Sequence, residues 1–397
     1  MHQAAAAFDL AIIGGGCAGL MLAHYVVQHA SPLMRILLLE SRTHYTRDKT
    51  WCFWQEDNHD FSDLVQHRWQ QWAFGLQDQS HESQHTQSGA LSYQCIPSEV
   101  FYNAMQTHLS QHPNCTVMLG TNLTHCQAHD NGYCLQTNSA TVYANAVVDT
   151  RPPDAAGLHE GLQQVFLGYE VRTATPVFAA DRAGLMQGMS CDEYGFRFTY
   201  TLPFSATHAL VEETRFTPHA VPLLTLRQML AQTLQQRLNG QAFHVEREEY
   251  GCIPMTTQLA NTAPQPATYV RAGTGGGAVR AASGYAFQRI QGWAQACARE
   301  FLRTGLLLPH PPEPRWRQAM DAVFLEVLRT RPTLTPSLFM RMAQALDDQT
   351  FARFLSEKAS AADVLQVIRA MPTLPFIRAL PVLLPTIPRG LRWTSAP

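Results

Sequence analysis

Residues 8–27, with the sequence FDLAIIGGGCAGLMLAHYVV, constrain the fold of this chain more than any other stretch. The apolar run 10–13 predicts a buried strand, and residues 18–27 predict the helix that follows it. Between them, Gly14, Gly16 and Gly19 form a G-x-G-x-x-G turn. The first glycine of such a turn allows the tight bend, the second lets the backbone approach a pyrophosphate, and the third lets helix and strand pack closely.

A second predicted strand, residues 35–39, ends at Glu40, 24 residues after the middle glycine of the turn. A carboxylate at this place binds ribose hydroxyls in dinucleotide sites, and the N-terminus of the helix offers free N–H groups to phosphates. A glycine-rich turn in another kind of α/β unit is the alternative. The predicted cofactor contacts in this unit are Gly14, Gly16, Cys17, Ala18, Gly19 and Glu40.

A second glycine-rich loop in GTGGGAVRAASGYAF also lies between a predicted strand and a predicted helix. An N-terminal dinucleotide motif combined with a late loop of this kind fits FAD better than NAD, because in such flavoproteins the late helix start lies near the reactive end of the ring. A plain turn is the alternative. The loop residues predicted to contact the flavin are Gly275, Gly276, Gly277 and Ala278.

Changes of pattern divide the chain into four predicted segments. Residues 1–160 form the first part of an FAD-binding domain, and residues 161–255, with several strands and one amphipathic helix, form an inserted α+β substrate domain. Residues 256–300 return to the FAD-binding domain, and residues 301–397 form a helical C-terminal region. The predicted fold class is therefore α/β, a Rossmann-like FAD-binding domain with an inserted α+β domain.

Charged residues make up only 15% of the chain, against about 25% in typical proteins. This favours extensive burial or an apolar surface that meets lipid or an apolar substrate; a polar surface of Gln, His, Ser and Thr is the alternative. The net charge of −2 gives no field that attracts nucleic acid. No run of about 18 apolar residues is present, so no membrane-spanning helix is predicted.

The nine cysteines are scattered, and none forms a C-x-x-C pair. We interpret them as reduced thiols of a cytoplasmic protein. The histidines include neither an H-E-x-x-H motif nor a cluster with zinc spacing, so no metal site is predicted. The N-terminus lacks the basic and apolar segments of a secretory signal.

Three acidic residues are candidates for chemistry. Asp149 ends an apolar strand beside a Pro-stiffened loop, where it either faces the cofactor or forms a salt-bridged loop. Glu212 and Glu213 are adjacent on a strand, so they point to opposite faces. One is expected to face solvent, while the other enters an apolar cavity, stays protonated near neutral pH and is suited to act as a general acid. Two solvated acids on an edge strand are the alternative.

Two further sequence features are apolar, a set of aromatic residues and the C-terminal tail. The aromatic residues can line an apolar tunnel and stabilise a cation, although such residues are also frequent in protein cores. The tail 362–393 combines Leu, Val and Ile with arginines as its only charges after Asp363, which suits either an interfacial helix pair or helices packed on the body. The aromatic set comprises Trp51, Phe53, Trp54, Trp69 and Trp72, and the arginines are Arg369, Arg378, Arg389 and Arg392.

These features together resemble the bacterial lycopene β-cyclases, over nearly the whole chain. The most specific match is YTLPFS followed by LVEETRF, which resembles the family's Leu-Pro-x-Ser turn and its Glu-Glu/Asp-Thr motif. The other matching segments are FDLAIIGGGCAGLMLA, RILLLE, DKTWCFW, IPSEVF, VVDTRPP, GYEVRT, EREEYGCIPM, GTGGGAVRAASGYAF, FLEVL and FARFL.

The resemblance implies an isomerase that uses FAD in its reduced form, with NADPH as the electron source and no net redox change. Glu212 would protonate C2 of the terminal C1=C2 bond of lycopene, with Glu213 in support. Attack by the C5=C6 bond on the C1 cation and loss of a proton from C6 would give the β-ionone ring. Both ends would react, giving β-carotene through γ-carotene.

The resemblance also implies where the protein works. Lycopene and related acyclic or monocyclic carotenes reside in the bilayer, so a cytoplasmic enzyme without a spanning helix must associate peripherally with the inner face of the cell membrane. Contact with other carotenoid enzymes is expected there.

Some positions depart from the family pattern, which often has His-Thr-Trp, Thr-Gly-Tyr and Asp-Gly-Arg where this chain has KTW at 49–51, SGY at 283–285 and DTR at 149–151. These departures concern the flavin contacts and the role of position 49. An FAD monooxygenase or an isoprenoid reductase is the competing enzyme class, and a non-catalytic flavin or carotenoid carrier is the competing binding protein. Enzymes of the competing class consume NADPH in proportion to product.

Overall fold

A computed structural model describes residues 7–78, 81–152, 161–257 and 266–383. In these residues the strands are β1 Ala7–Ile13, β2 Ile36–Leu39, β3 Thr50–Gln55, β4 His67–Trp69, β5 Gln71–Leu76, β6 Glu82–Thr86, β7 Ser92–Pro97, β8 Cys115–Met118, β9 Leu123–His129, β10 Gly132–Thr137, β11 Thr141–Asp149, β12 Leu162–Thr173, β13 Arg182–Asp192, β14 Gly195–Ser205, β15 His208–Thr217, β16 Phe243–Met255 and β17 Tyr269–Arg271. The helices are α1 Cys17–Val27, α2 Ser98–Ser110, α3 Leu223–Arg237, α4 Phe287–Thr304, α5 Arg315–Thr330, α6 Thr335–Ala345, α7 Asp348–Leu355, α8 Ala361–Ala370 and α9 Thr373–Ala379.

The first sheet carries the predicted β-α-β unit. Strands β8, β2, β1, β11 and β17 run parallel, and β10 and β9 extend the sheet from β11 in antiparallel pairs. Helices α1, α2 and α4 cover one face with apolar side chains. The predictions of the strand at 10–13, of the helix after it and of the strand that ends at Glu40 are confirmed.

The second sheet has the order β16-β12-β15-β14-β13-β5-β6. Strands β12, β14 and β15 are among the several strands that were predicted within residues 161–255. Strand β14 continues to Ser205, and the turn to β15 lies at 206–207. Strands β5 and β6, within the segment predicted as the first part of the FAD-binding domain, pair in this sheet.

The two faces of the second sheet pack against different partners. Helix α3 covers one face with a leucine stripe formed by Leu226, Leu230 and Leu234. The opposite face packs against a small third sheet, of order β3-β7-β4, and against the C-terminal helices. Because β15 is an inner strand that is covered on both faces, every residue from Ala209 to Thr217 is buried.

Helix α2 begins at Ser98, and Pro97 occupies the cap position. The Ser98 hydroxyl accepts a hydrogen bond from the Lys49 N–H at 3.0 Å, which ties the helix to the segment before β3.

Candidate active site

The glycine turn between β1 and α1 forms an open cradle. Gly14 adopts a φ of +96°, which glycine tolerates and other residues rarely adopt. A Cβ on Gly19 would lie 1.9 Å from the Gly14 carbonyl oxygen, so only glycine allows this close packing. Gly16 precedes the helix with extended backbone, and a Cβ there would meet no described atom within 4 Å. The space beside Gly16 and the free N–H groups of α1 therefore suit a phosphate.

Glu40 lies at the end of β2, beside the cradle. Its buried carboxylate accepts hydrogen bonds from the Gly15 N–H and the Arg42 N–H, both at 2.7 Å. Burial raises the pKa of Glu40, but the hydrogen bonds and charge of Arg42 outweigh it, so the pKa is lowered overall. The Arg42 guanidinium also donates to this carboxylate, at 3.0 and 3.1 Å, and the Ser41 hydroxyl donates to it at 3.2 Å. A direct contact between Glu40 and a ribose stays a prediction.

The late glycine-rich loop approaches the same cradle. Residues Gly273–Gly276 form a short 3₁₀ turn, and a Cβ on Gly273 would lie 3.1 Å from the Cβ of Ala18. Glycine is required at 275 and 276, because a Cβ there would lie 2.5 and 2.4 Å from the carbonyl oxygens of Arg151 and Arg271. The structure thus brings the two predicted loops together.

Sequence reasoning missed two residues that hold these loops. Thr150 donates from its hydroxyl to the carbonyl oxygens of Ile13 and Gly14, both at 2.9 Å. The buried His310 ring accepts the Gly273 N–H at 3.0 Å, and burial lowers the pKa of His310 to about 3, which keeps the ring neutral. His310 belongs to no motif, so the sequence carries no signal for it.

Asp149 forms the salt-bridged loop that was one of its two interpretations. Its buried carboxylate accepts hydrogen bonds from the Arg151 guanidinium at 3.0 and 2.8 Å and from the Arg151 N–H at 3.1 Å. The Tyr269 hydroxyl also donates to it, at 3.4 Å. A direct contact between Asp149 and the cofactor stays a prediction.

Glu212 and Glu213 point to opposite faces of the second sheet, as adjacent strand residues must. The expectation that one of them faces solvent is wrong, since Glu212 is 8% exposed and Glu213 is fully buried. They are not edge-strand acids either, because β15 lies between β12 and β14.

Glu213 lies on the face covered by α3. Its carboxylate pairs with Arg197 at 2.8 Å and Arg215 at 3.4 Å, and it accepts a hydrogen bond from the Thr233 hydroxyl of α3 at 3.2 Å. The pKa of Glu213 is raised overall, because burial raises it by more than Arg197 and Arg215 lower it. Arg215 is itself fully buried and also pairs with Asp192 at 2.6 Å.

Glu212 lies on the face toward the third sheet, in a row that runs across four strands. Glu212 is opposite Tyr200 on β14 and Gly168 on β12, and Gly168 is in turn opposite Glu249 on β16. Residues opposite one another in a sheet share a face. A Cβ on Gly168 would lie 2.6 Å from Cγ of Glu212, so this glycine leaves the room that the Glu212 side chain occupies.

The Glu212 carboxyl is buried, and no residue in the described part of the chain donates a hydrogen bond to it. Burial raises the pKa of Glu212 well above its ordinary value, and the charge of Glu249 and the Cys52 thiol raise it further, against a smaller opposing effect of Arg247. A carboxyl in this environment stays protonated near neutral pH and can donate its proton.

Glu249 has the opposite surroundings from Glu212. It accepts hydrogen bonds from the Thr50 N–H at 3.0 Å, the Thr50 hydroxyl at 2.8 Å and the Arg247 guanidinium at 2.7 Å. Such charge-assisted hydrogen bonds suit an ionised carboxylate. Two carboxyls on one face therefore have environments that favour different protonation states.

An aromatic cluster adjoins the Glu212 row at Tyr200, which lies opposite Glu212. The Tyr93 and Tyr200 hydroxyl oxygens lie 2.5 Å apart, and the Trp54 ring packs on Tyr93 at 4.4 Å and on Tyr285 at 5.8 Å between centroids. Burial raises the pKa of all three tyrosines, so they remain neutral. These tyrosines were missed because they come from three distant segments.

The predicted aromatic set separates into two groups. Trp54, Trp69 and Trp72 are buried in the cluster that contains the Glu212 face. Trp51 and Phe53 pack instead beside Phe287 in the core of the first sheet, and the Phe53 and Phe287 rings stack at 4.8 Å.

The tail forms α8 and α9, which present apolar side chains to solvent. The most exposed of these are Leu374, Ile377 and Ile368, each more than half exposed. Arg389 and Arg392, part of the predicted cationic flank, lie outside the described residues. None of the described helices is long and apolar enough to cross a bilayer.

Comparison with known proteins relates the chain to one family. It matches the model described as "Lycopene cyclase protein" over residues 9–381. A lycopene beta-cyclase of Pseudescherichia vulneris is 30% identical over 258 residues, which cover 62% of each chain and so less than two thirds of that relative. A lycopene beta-cyclase of Pantoea ananas is 24% identical over 96% of this chain and 98% of that protein.

Solved structures with a similar fold have low sequence identity. A geranylgeranyl bacteriochlorophyll reductase-like protein of Thermoplasma acidophilum aligns with a TM-score of 0.62 at 13% identity, over 95% of this chain and 99% of that chain. A flavoprotein/dehydrogenase of Cytophaga hutchinsonii aligns with a TM-score of 0.61 at 14% identity, over 95% and 99%. The p-nitrophenol 4-monooxygenase PnpA of Pseudomonas putida aligns with a TM-score of 0.56 at 13% identity, over 96% and 100%. These likenesses confirm the predicted fold class.

Proposed function

The chain belongs to the lycopene cyclase family, and we propose that it cyclises the ψ ends of lycopene to β-ionone rings, giving γ-carotene and then β-carotene. The observation that carries this proposal is the Glu212 carboxyl, which is buried opposite Tyr200 on the aromatic face of the sheet and has no hydrogen-bond donor among the described residues. Its raised pKa keeps a proton available at neutral pH in a pocket that suits a hydrocarbon.

Glu212 donates its proton to C2 of the terminal C1=C2 bond, which places the positive charge on C1. The C5=C6 bond attacks C1, and a proton then leaves C6, so that one proton enters and one leaves for each ring. Lycopene offers no polar group, so recognition rests on apolar burial and shape. Glu213 acts in support, because its ion pairs on the opposite face hold β15 in place.

The surrounding rings protect and stabilise the cation. Trp54, Tyr93, Tyr200 and Tyr285 present π-faces and neutral hydroxyls, and such faces attract a cation most strongly where water is excluded. The Tyr93 and Tyr200 hydroxyls share one hydrogen bond within the cluster, which holds the two rings together.

The cradle at the first sheet fits FAD. The open side of Gly16, the free N–H groups of α1 and the Glu40 carboxylate match pyrophosphate and ribose, and the loop 275–278 adjoins that cradle. Reduced FAD, with NADPH as the electron source, would supply negative charge near the cation without net redox change. The residues that we propose to hold it are Gly14, Gly16, Cys17, Ala18, Gly19, Glu40, Asp149, Gly275, Gly276, Gly277 and Ala278.

We also propose that the protein acts on the inner face of the cell membrane, where carotenes reside. The exposed apolar side chains of α8 and α9 support this, since they flank Arg369 and Arg378, which suit anionic lipid headgroups. The surfaces of soluble proteins rarely expose so many apolar side chains together.

The test is expression of the chain in cells that accumulate lycopene, followed by chromatography of the carotenoid extract. We expect β-carotene with γ-carotene as the intermediate. With the purified protein, rings formed should greatly exceed NADPH consumed, because the reductant only maintains the flavin. Unchanged lycopene, or an oxygenated or reduced product with matching NADPH consumption, would overturn the proposal in favour of a monooxygenase or a reductase.

A further inference from the structure

A cavity of about 430 Å³ lies among the C-terminal helices, apart from the Glu212 row. This volume falls within the range of about 300–1,000 Å³ that is typical of ligand pockets. Helices α5, α6, α8 and α9 form most of its wall, with Phe324, Met342, Val367 and Phe376 among the lining side chains. None of the proposed catalytic or flavin-binding residues lines it.

The wall of the cavity presents hydrocarbon. Its charged residues, Arg280 and Asp321, pair with each other at 3.4 Å, and Arg280 also donates to the Phe354 carbonyl oxygen at 2.9 Å. The polar groups are therefore satisfied within the protein. The Phe324 and Phe376 rings stack with an interplanar angle of 28°, an arrangement that suits a flat conjugated chain.

Packed aromatic rings connect the inner wall of the cavity to the site of the proposed reaction. Ser283 lines the cavity, and Tyr285, two residues further, packs on Trp54 in the aromatic cluster. Phe339, also in the wall, stacks on Phe196 and contacts Phe216. Phe216 shares a face of β15 with Glu212 and is four residues away, about 13 Å along the strand.

The outer end opens at an apolar rim. Ile368, Ile377, Leu380 and Leu383 line the cavity and are each at least 44% exposed. A hydrocarbon that enters here leaves an apolar surface for an apolar interior and never meets bulk water. Ile368 and Ile377 belong to α8 and α9, the helices that we propose to meet the membrane, and Leu380 and Leu383 directly follow α9.

We propose that this cavity binds the polyene chain beyond the reacting end of a long carotene, with the rim as its entrance. This inference rests on the proposed function. The ligand class is an extended conjugated hydrocarbon without polar groups, held by burial and by contact with aromatic rings. The cavity then selects for chain length, while the Glu212 row selects for the ψ end.

The test uses two variants, each of which places a larger side chain in the cavity. These are Met342→Trp in α6 and Val367→Trp in α8. Gln344→Trp is the matched control, because Gln344 lies in α6 but is exposed to solvent. The substrates are lycopene and a shortened apocarotenoid with one ψ end. We expect each filling variant to lose kcat/KM for lycopene by about tenfold while its turnover of the short substrate stays within about threefold. The control should retain both activities.

Binding gives a second readout that needs no turnover. In a Glu212→Gln background, lycopene bound per folded protein should fall when Met342→Trp or Val367→Trp is added, with bound flavin and thermal unfolding as checks of folding. Undiminished binding and turnover of lycopene in both variants, or an equal loss for both substrates, would overturn the inference. Turnover of neither substrate by the wild-type protein would instead contradict the proposed function. If removal of residues 384–397 raised lycopene turnover while the filling variants remained neutral, that segment would be the occupant and the inference would be wrong.

Discussion

Glu212 and Glu213 are neighbours on β15, and both are buried, but the two faces of the sheet give them opposite surroundings. Glu213 pairs with Arg197 and Arg215 and contacts α3. Glu212 lies opposite Tyr200 and has no hydrogen-bond donor among the described residues. The charge of Glu249 lies on the same face. The comparison shows that burial alone does not make a carboxyl group a proton donor. The partners on each face decide whether a carboxyl fixes the fold or holds a proton.

The largest expected effect is that of Glu212→Gln on ring formation. Proton donors of this kind contribute about 10²–10⁴-fold to rate, so cyclisation should fall by about that factor while flavin still binds. Carotenoid extracts from lycopene-accumulating cells and flavin absorbance of the purified variant measure the two properties. Persistent β-carotene in this variant would contradict the acid assignment.

Glu213→Gln should affect stability instead of chemistry. It leaves the cations of Arg197 and Arg215 without a buried partner, which typically costs about 3 kcal/mol or more, although Asp192 still pairs with Arg215. We expect a lower free energy of unfolding and near-normal ring formation per folded protein. Denaturant unfolding and turnover normalised to bound flavin distinguish the two effects. Normal stability with lost turnover would contradict this prediction and would indicate that Glu213 takes part in the reaction.

Gly168→Ala should weaken catalysis by displacing Glu212. The new Cβ would lie 2.6 Å from Cγ of Glu212, so the carboxyl must move away from its position beside the aromatic cluster. Since misplacement by about 1 Å can cost about 10²-fold, we expect a loss of about tenfold or more, measured as kcat. Gly292→Ala is the control, because a Cβ there meets no described atom within 4 Å. Equal kcat in the two variants would show that Gly168 is not needed to position Glu212 for catalysis.

Glu249→Gln should shift the pH dependence. The charge of Glu249 raises the pKa of Glu212, so its removal lowers that pKa, and the protonated acid is lost at a lower pH than in the wild type. The alkaline fall of kcat should therefore move to lower pH. Glu248→Gln is the control, because Glu248 precedes Glu249 in β16 and pairs with Arg227 in a partly exposed ion pair. An unshifted profile would show that burial alone sets the pKa of Glu212.

Much of the fold could be predicted from the sequence, because its signals are local. The glycine spacing, the apolar run before it and Glu40 all lie within 33 residues, and each has a separate geometric purpose. Strand β13, which was not predicted, contains Gly184 and Gly188 and pairs irregularly with both neighbours. Its pattern therefore lacks the regular alternation that identifies a strand.

The site could be predicted only in part, because strand register brings its other members together. Tyr200, Gly168 and Glu249 meet Glu212 through pairings across four strands. A shift of one residue in any pairing would turn those side chains to the other face, and no local pattern records the register. The burial of Glu213 was missed for a similar reason, since nothing in the β15 sequence tells that α3 packs over it.

The central claim is that Glu212 is a protonated acid at neutral pH, and infrared difference spectroscopy tests it most directly. The spectrum of the wild-type protein minus that of Glu212→Gln is measured near pH 7 with flavin bound. The raised pKa of Glu212 predicts a carbonyl band of a protonated carboxylic acid in the wild type that the variant lacks. A difference spectrum that contains only carboxylate bands would show that Glu212 is ionised, and it would contradict the account.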